Sequence, residues 1–205
     1  MAEEEQQSQR QPELIETGRL EAFSDGVMAV IITIMVLELR PPPEAGISAL
    51  LGLHAKFLVY VLSFTFIGIY WNNHHLLLRA TPGIDGAVMW ANLHLLFWLS
   101  LVPFVTAWAG DHPLSRGPAL VYCAVGLLAG AAYYILVRLI LRANKGADIE
   151  KAIGGDFKGR ISLVIYALGM AVAYIHEPVT PVFSYVLCAC VSIMWFIPDR
   201  RLVRR

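Results

Sequence analysis

The sequence predicts an all-α membrane protein with six transmembrane helices in each subunit. Three observations lead there. Of its 205 residues, 57% are hydrophobic and only 16% charged, against about 45–50% apolar and about 25% charged in a soluble domain. The excess is gathered into long apolar runs separated by polar or proline-rich breaks, the pattern of a polytopic membrane chain. The Lys and Arg residues also sort to one side once six crossings are drawn.

The chain divides into a polar cytosolic tail at 1–18, a six-helix transmembrane domain at 19–198 and a basic cytosolic C-terminus at 199–205. The opening is rich in Gln and Glu and reads as disordered. It lacks the basic-then-apolar pattern of a cleavable leader, so the first helix is expected to stay in the mature chain.

The first span, Arg19 to Leu39, carries its charges in its opening turns, from Arg19 to Asp25. The next twelve residues, Gly26 to Leu37, hold one polar side chain, Thr33. At ~1.5 Å per residue this helix can cross a hydrocarbon layer ~30 Å thick. It stops at Arg40-Pro41-Pro42-Pro43, because proline lacks the N–H that would continue it. The second span, Ile47 to Trp71, is expected to end in Asn72-Asn73-His74-His75. Thr81-Pro82-Gly83 turns the chain into a third, Ala87 to Ala109. After Gly110-Asp111-His112-Pro113 comes the fourth, Arg116 to Leu141, with Pro118 in its first turn. A polar stretch, Arg142 to Arg160, precedes the fifth, Ile161 to Ile175. Glu177-Pro178 turns it into the sixth, Thr180 to Ile197. No internal repeat is visible.

Six crossings put both termini on one side. Of the 16 Lys and Arg residues only Arg40, Lys56 and Arg116 then fall on the other, leaving thirteen with the termini. Basic residues collect in the cytosol, so both termini are expected there, and the protein in the cell membrane. The net charge is zero, and nothing in its distribution predicts a nucleic-acid partner. The basic loop and tail face lipid headgroups. Cys123, Cys188 and Cys190 all lie in apolar runs, where Cys packs as a small hydrophobe; neither a disulfide framework nor a metal site is expected of them, and no cofactor is predicted.

Chemistry concentrates in the first helix. Phe23, Val30, Ile34 and Leu37 share one apolar stripe with Thr33 beside it, and Ala22, Gly26, Ala29 and Thr33 form an adjoining stripe of small residues. Both stripes are also what ordinary helix packing in a bundle requires. Arg19 and Asp25 are six residues apart, too far around the helix to pair as i,i+4 neighbours. Each therefore needs a partner from another segment or from water. Trp71, Asn72, Asn73, His74 and His75 lie at the matching depth, and a hydrogen-bonded knot there would satisfy Asp25 and fix the rotation of the helix. His74 and His75 also suit a solvated pair at a wet boundary.

Arg19-x-x-x-Phe23-Ser24-Asp25, at the start of a first membrane helix, resembles the R-x-x-x-F-S-D signature of the transmembrane-protein-175 potassium channels. Gly26 to Ile34 is similar to that family's prokaryotic single-repeat branch, as are Trp71 to His75, Asn92-Leu93 and Ser100-Leu101-Val102-Pro103-Phe104. The resemblance implies a homotetramer of six-helix subunits around a central pore, permeable to potassium and other monovalent cations and lined by four copies of the first helix. It implies a hydrophobic constriction in place of a carbonyl filter, and no Thr-Val-Gly-Tyr-Gly loop is present. Carried across by position, Val30, Ile34 and Leu37 form the gate and Thr33 supplies a ring of hydroxyls for a modest preference for potassium over sodium. Arg19, Phe23, Ser24 and Asp25, with Trp71 to His75, hold the assembly. Val30 is smaller than the Ile or Leu the resemblance leads one to expect, which moves the narrowest point toward Ile34 or Leu37.

Two other classes compete. A small secondary transporter would show mid-membrane breaks and inverted repeats, and Pro103 is the one such break in sight. A membrane redox or haem protein would need paired axial ligands; His94 is deep in the third span without an obvious second, and His176 lies near the opposite boundary. An enzyme is not expected.

Overall fold

A computed structural model of the chain describes residues 15–145, 157–175 and 179–196. Most of the 1–18 tail, the 199–205 terminus, the middle of the Arg142–Arg160 loop and His176 lie outside these residues. Among the described residues the regular elements are all helices, apart from one antiparallel bridge between Ile15 and Ile84. Its helices are α1 (Gly18–Leu37), α2 (Ile47–Gly52), α3 (His54–Arg79), α4 (Gly86–Ser100), α5 (Val102–Asp111), α6 (Arg116–Ala143), α7 (Phe157–Ile175) and α8 (Val179–Phe196). With α4 and α5 counted as one span, five are long and apolar enough to cross a membrane, and Thr180–Phe196 is a shorter apolar sixth. The protein is thus a multi-pass membrane protein.

Two boundaries differ from the sequence expectation, each for a physical reason. The second span does not end at Asn72 to His75; α3 continues through them to Arg79. Polar side chains stop a helix only when they compete for its backbone. Here Asn73 Nδ2 donates back to the Ile69 carbonyl at 2.8 Å and His74 is bonded to another helix. Termination waits for Thr81-Pro82-Gly83, and the apolar stretch before His54 folds separately as α2.

The third span is not one helix. It breaks at Leu101, between Ser100 and Val102. Pro103 has no N–H to give the turn before it and its ring crowds that turn. The freed groups find local partners: Leu101 N–H donates to the Trp98 carbonyl at 3.3 Å, and Ser100 Oγ to Phe97 O at 2.7 Å.

The packing order is set by α6, which lies between α4 and α7 and also meets α5 and α8; α1 packs on α3, α4 and α5. Small residues allow the closest crossing. A Cβ on Gly126 of α6 would lie 2.8 Å from the Tyr166 ring of α7, so only glycine fits there. Helix ends are held by specific bonds: Asp85 accepts from Val88 N–H at 2.9 Å at the start of α4, and Asn144 Nδ2 donates to Gly83 O at 2.9 Å. The latter ties the end of α6 to the turn between α3 and α4.

Candidate functional site

The first helix has two faces of nearly equal hydrophobicity and opposite fate. Leu20, Ser24, Met28, Ile31 and Met35 recur every three or four residues and are buried against the subunit's own helices. The stripe predicted for the pore is left uncovered: Val30 is 54% exposed, Ile34 42% and Leu37 75%, with Thr33 and Phe23 also exposed. The small stripe of Ala22, Gly26, Ala29 and Thr33 is open as well.

The rotation of α1 is fixed by hydrogen bonds in the subunit interior. Ser24 Oγ donates to Leu20 O at 2.8 Å and accepts from Asn92 Nδ2 of α4 at 2.9 Å. Asn92 Oδ1 lies 2.7 Å from His74 Nε2 of α3. The amide has spent its N–H on Ser24, so the carbonyl oxygen accepts and His74 Nε2 must be the protonated nitrogen. All three side chains are fully buried. His74 Nδ1 has no hydrogen-bond partner. Three helices are thereby joined at one depth, and a rotation of α1 would orphan buried polar groups at a cost of about 1–3 kcal/mol each.

One turn away, the carboxylate that meets α3 is Glu21, whose Oε1 lies 2.7 Å from His75 Nδ1. Trp71 stacks on His75, with ring centroids 5.9 Å apart. Asp25 Oδ1 is buried without a hydrogen-bond partner. Arg19 is exposed, Asn72 half-buried and Asn73 buried. Glu21, Asp25 and His75 bring one donor atom each within 4.8 Å of one another, a set able to hold a metal ion. No such set is visible along the chain, because its members come from two helices fifty residues apart.

The uncovered face of α1 and the broken span enclose a groove of about 800 Å³, lined by Phe23, Gly26, Val30, Ile34, Ser100 and Phe104 among others. Thr33 Oγ1 donates to Val30 O at 2.8 Å. Its proton is committed to the helix, so the oxygen is presented outward as an acceptor.

A second polar chain runs between α3, α5 and α6. Ser63 lies 2.9 Å from the Tyr122 hydroxyl and 2.7 Å from Thr106 Oγ1, which donates to Val102 O at 2.7 Å. Thr106 Oγ1 is the donor, its one proton shared between Ser63 Oγ and the Val102 carbonyl. Sequence reasoning passed over Ser63, Thr106 and Tyr122, and also Glu21 as the partner of His75. Isolated hydroxyls in apolar runs carry no periodic signal that says which will meet. His94 Nε2 accepts from Trp98 Nε1 at 2.9 Å, so the lone pair a haem iron would need is occupied.

Residues 19–103 match the family model described as endosomal/lysosomal potassium channel TMEM175. A potassium channel of Chryseobacterium sp. is 44% identical over 90% of this chain and 95% of its own length. The chain belongs to the TMEM175 family. A potassium channel of Streptomyces collinus is 31% identical, over 80% of this chain and 86% of its own. The crystal structure of a lysosomal potassium-selective channel TMEM175 homolog from Chamaesiphon minutus superposes with a TM-score of 0.75. It is 29% identical and covers 90% of this chain and 98% of its own. The family match ends at Pro103, just past the helix break, and so takes in α1, α3 and α4, the helices that the Ser24–Asn92–His74 bonds join.

Proposed function

We infer that this TMEM175-family protein is a potassium-permeable cation channel of the cell membrane, working as a homotetramer with four copies of α1 around a central pore. The observation that carries this is the uncovered stripe Val30, Ile34, Leu37 on a helix whose opposite face is bolted to its own subunit. The potassium channels of Chryseobacterium and Streptomyces, similar over most of the chain, support it.

Val30, Ile34 and Leu37 form a constriction that excludes water when narrow and conducts when a small dilation wets it. Thr33 contributes a ring of acceptor oxygens that replaces part of an ion's hydration, enough for a modest preference for potassium over sodium. The small stripe of Ala22, Gly26 and Ala29 lets a neighbouring copy approach closely. Arg19, Phe23, Ser24 and Asp25, with Trp71, Asn72, Asn73, His74 and His75, hold the cytosolic end and stand outside the potassium path. The positive-inside bias puts both termini in the cytosol.

The test is reconstitution of the purified protein in lipid bilayers under a potassium gradient. Unitary current steps with a reversal potential on the potassium side of zero are expected. Saturable flux without steps would replace the channel with a transporter, the second reading that the break at Leu101 keeps in view. A Soret band in the purified protein would revive the haem alternative.

A further inference from the structure

We propose that Glu38 is a cation-gathering residue at the mouth opposite the chain termini, where four carboxylates, one per subunit, concentrate potassium before the hydrophobic constriction. The proposal rests on α1 lining the pore.

Val30, Ile34 and Glu38 follow at i, i+4 and i+8, and all three line the same groove. Glu38 is the C-cap of α1, one residue past Leu37, and its side chain is exposed. That is an unfavourable place for an acid, since the last carbonyls of a helix already form the negative end of its dipole. A residue that breaks a local rule without a compensating bond points to use elsewhere. No ion pair or side-chain hydrogen bond joins Glu38 to another described residue.

Among the described residues, Glu38 is the one charged side chain in the lining of that groove. Lys56 is held by Asp111 at 2.5 Å. Arg40 is exposed on the segment after the helix and does not line the groove that holds Val30, Ile34 and Glu38. A separate polar cavity of about 250 Å³ beside Glu38 is lined also by Arg40, Lys56, Tyr60, Thr106 and Asp111, so the gathering role is assigned to the groove side of Glu38, where no basic residue lines the wall. The carboxylate and the helix dipole act in the same direction, and a ring of such charges raises the local cation concentration in a way that salt screens. Screening reaches ~30 Å at about 0.01 M salt and shrinks to ~3 Å at about 1 M.

The experiment is single-channel recording of the full-length protein in bilayers with KCl at about 0.01 M and about 1 M, for the wild type, Glu38→Gln, Glu38→Asp and Arg40→Gln. Unitary conductance does not depend on how many channels fold, so a poorly expressed variant still answers. Glu38→Gln is expected to lower conductance about threefold at low salt, most for current entering from the Glu38 side, and to match the wild type at 1 M. Glu38→Asp should retain most of the low-salt conductance, and Arg40→Gln should not lower it. Equal low-salt conductance in Glu38→Gln and wild type would overturn the proposal, as would a loss that persists at 1 M or one shared by Arg40→Gln. Ile34→Asn, recorded alongside, separates the two levels. If it changes conductance and Glu38→Gln does not, only the mouth role falls; if neither does, the pore reading falls and takes Glu38 with it.

Discussion

Two faces of one helix make the instructive comparison. Met28, Ile31 and Met35 on one side of α1, and Val30, Ile34 and Leu37 on the other, are alike in hydrophobicity, yet the first set is buried and the second open. In water, apolar patterning would orient such a helix. In lipid it cannot, because hydrocarbon accepts either face equally well and association is left to close packing and hydrogen bonds. What distinguishes the faces is a set of polar ties from α1 to α3 and α4, among them Glu21 to His75. Ser24 finds Asn92 at 2.9 Å, Asn92 finds His74, and the uncovered stripe follows from that anchor.

The sharpest way to break the comparison is to put an amide on each face. Ile34→Asn or Val30→Asn should raise basal potassium conductance about a hundredfold, by lowering a dewetting barrier by about 2.7 kcal/mol. Potassium flux from liposomes reads this, and unchanged flux in both variants would mean the open stripe is not the pore. Met28→Ala on the buried face should cost about 2 kcal/mol of stability. That lies at the low end for a core truncation because lipid cancels the transfer part and leaves the cavity part. The midpoint of thermal unfolding in detergent should fall while unitary conductance stays the same.

Asn92→Leu tests the anchor itself. It strands His74 Nε2 and should cost about 1–2 kcal/mol, read in the same melting assay; no change would mean that the Ser24–Asn92–His74 chain does not fix α1. Asp25→Ala should reduce the yield of assembled protein more than it alters ion preference. A well-assembled Asp25→Ala channel with a shifted reversal potential would move Asp25 from the frame to the permeation path. The smallest effect is expected from Thr33→Val, which keeps shape and removes the acceptor oxygen. The potassium-to-sodium permeability ratio should fall about threefold, or about 0.6 kcal/mol, in bi-ionic reversal potentials.

Much of the architecture was legible because it is local. Arg40-Pro41-Pro42-Pro43 ends the first helix wherever it folds, since no N–H is available to extend it; the observed helix ends at Leu37. The motif at Arg19 to Asp25 lies at the start of α1, and that helix's open stripe is readable at 3.6 residues per turn. Pro103 announced trouble in the third span, but that the helix divides at Leu101 was not readable, because many bundle helices bend around a proline without breaking.

Asn72 to His75 misled for the opposite reason. They look like an end, yet they lie within α3 because Asn73 bonds within its own helix and His74 spends its N–H on another. The sequence by itself determined that this is a membrane bundle with one helix carrying its charges at one end, since composition and short-range stereochemistry suffice for that. Only the tertiary structure decided which face of that helix is open and that Glu21, rather than Asp25, meets His75. Those outcomes depend on bonds between residues 18 and 68 positions apart and on contacts between helices. In a membrane, hydrophobicity supplies no force to foretell them.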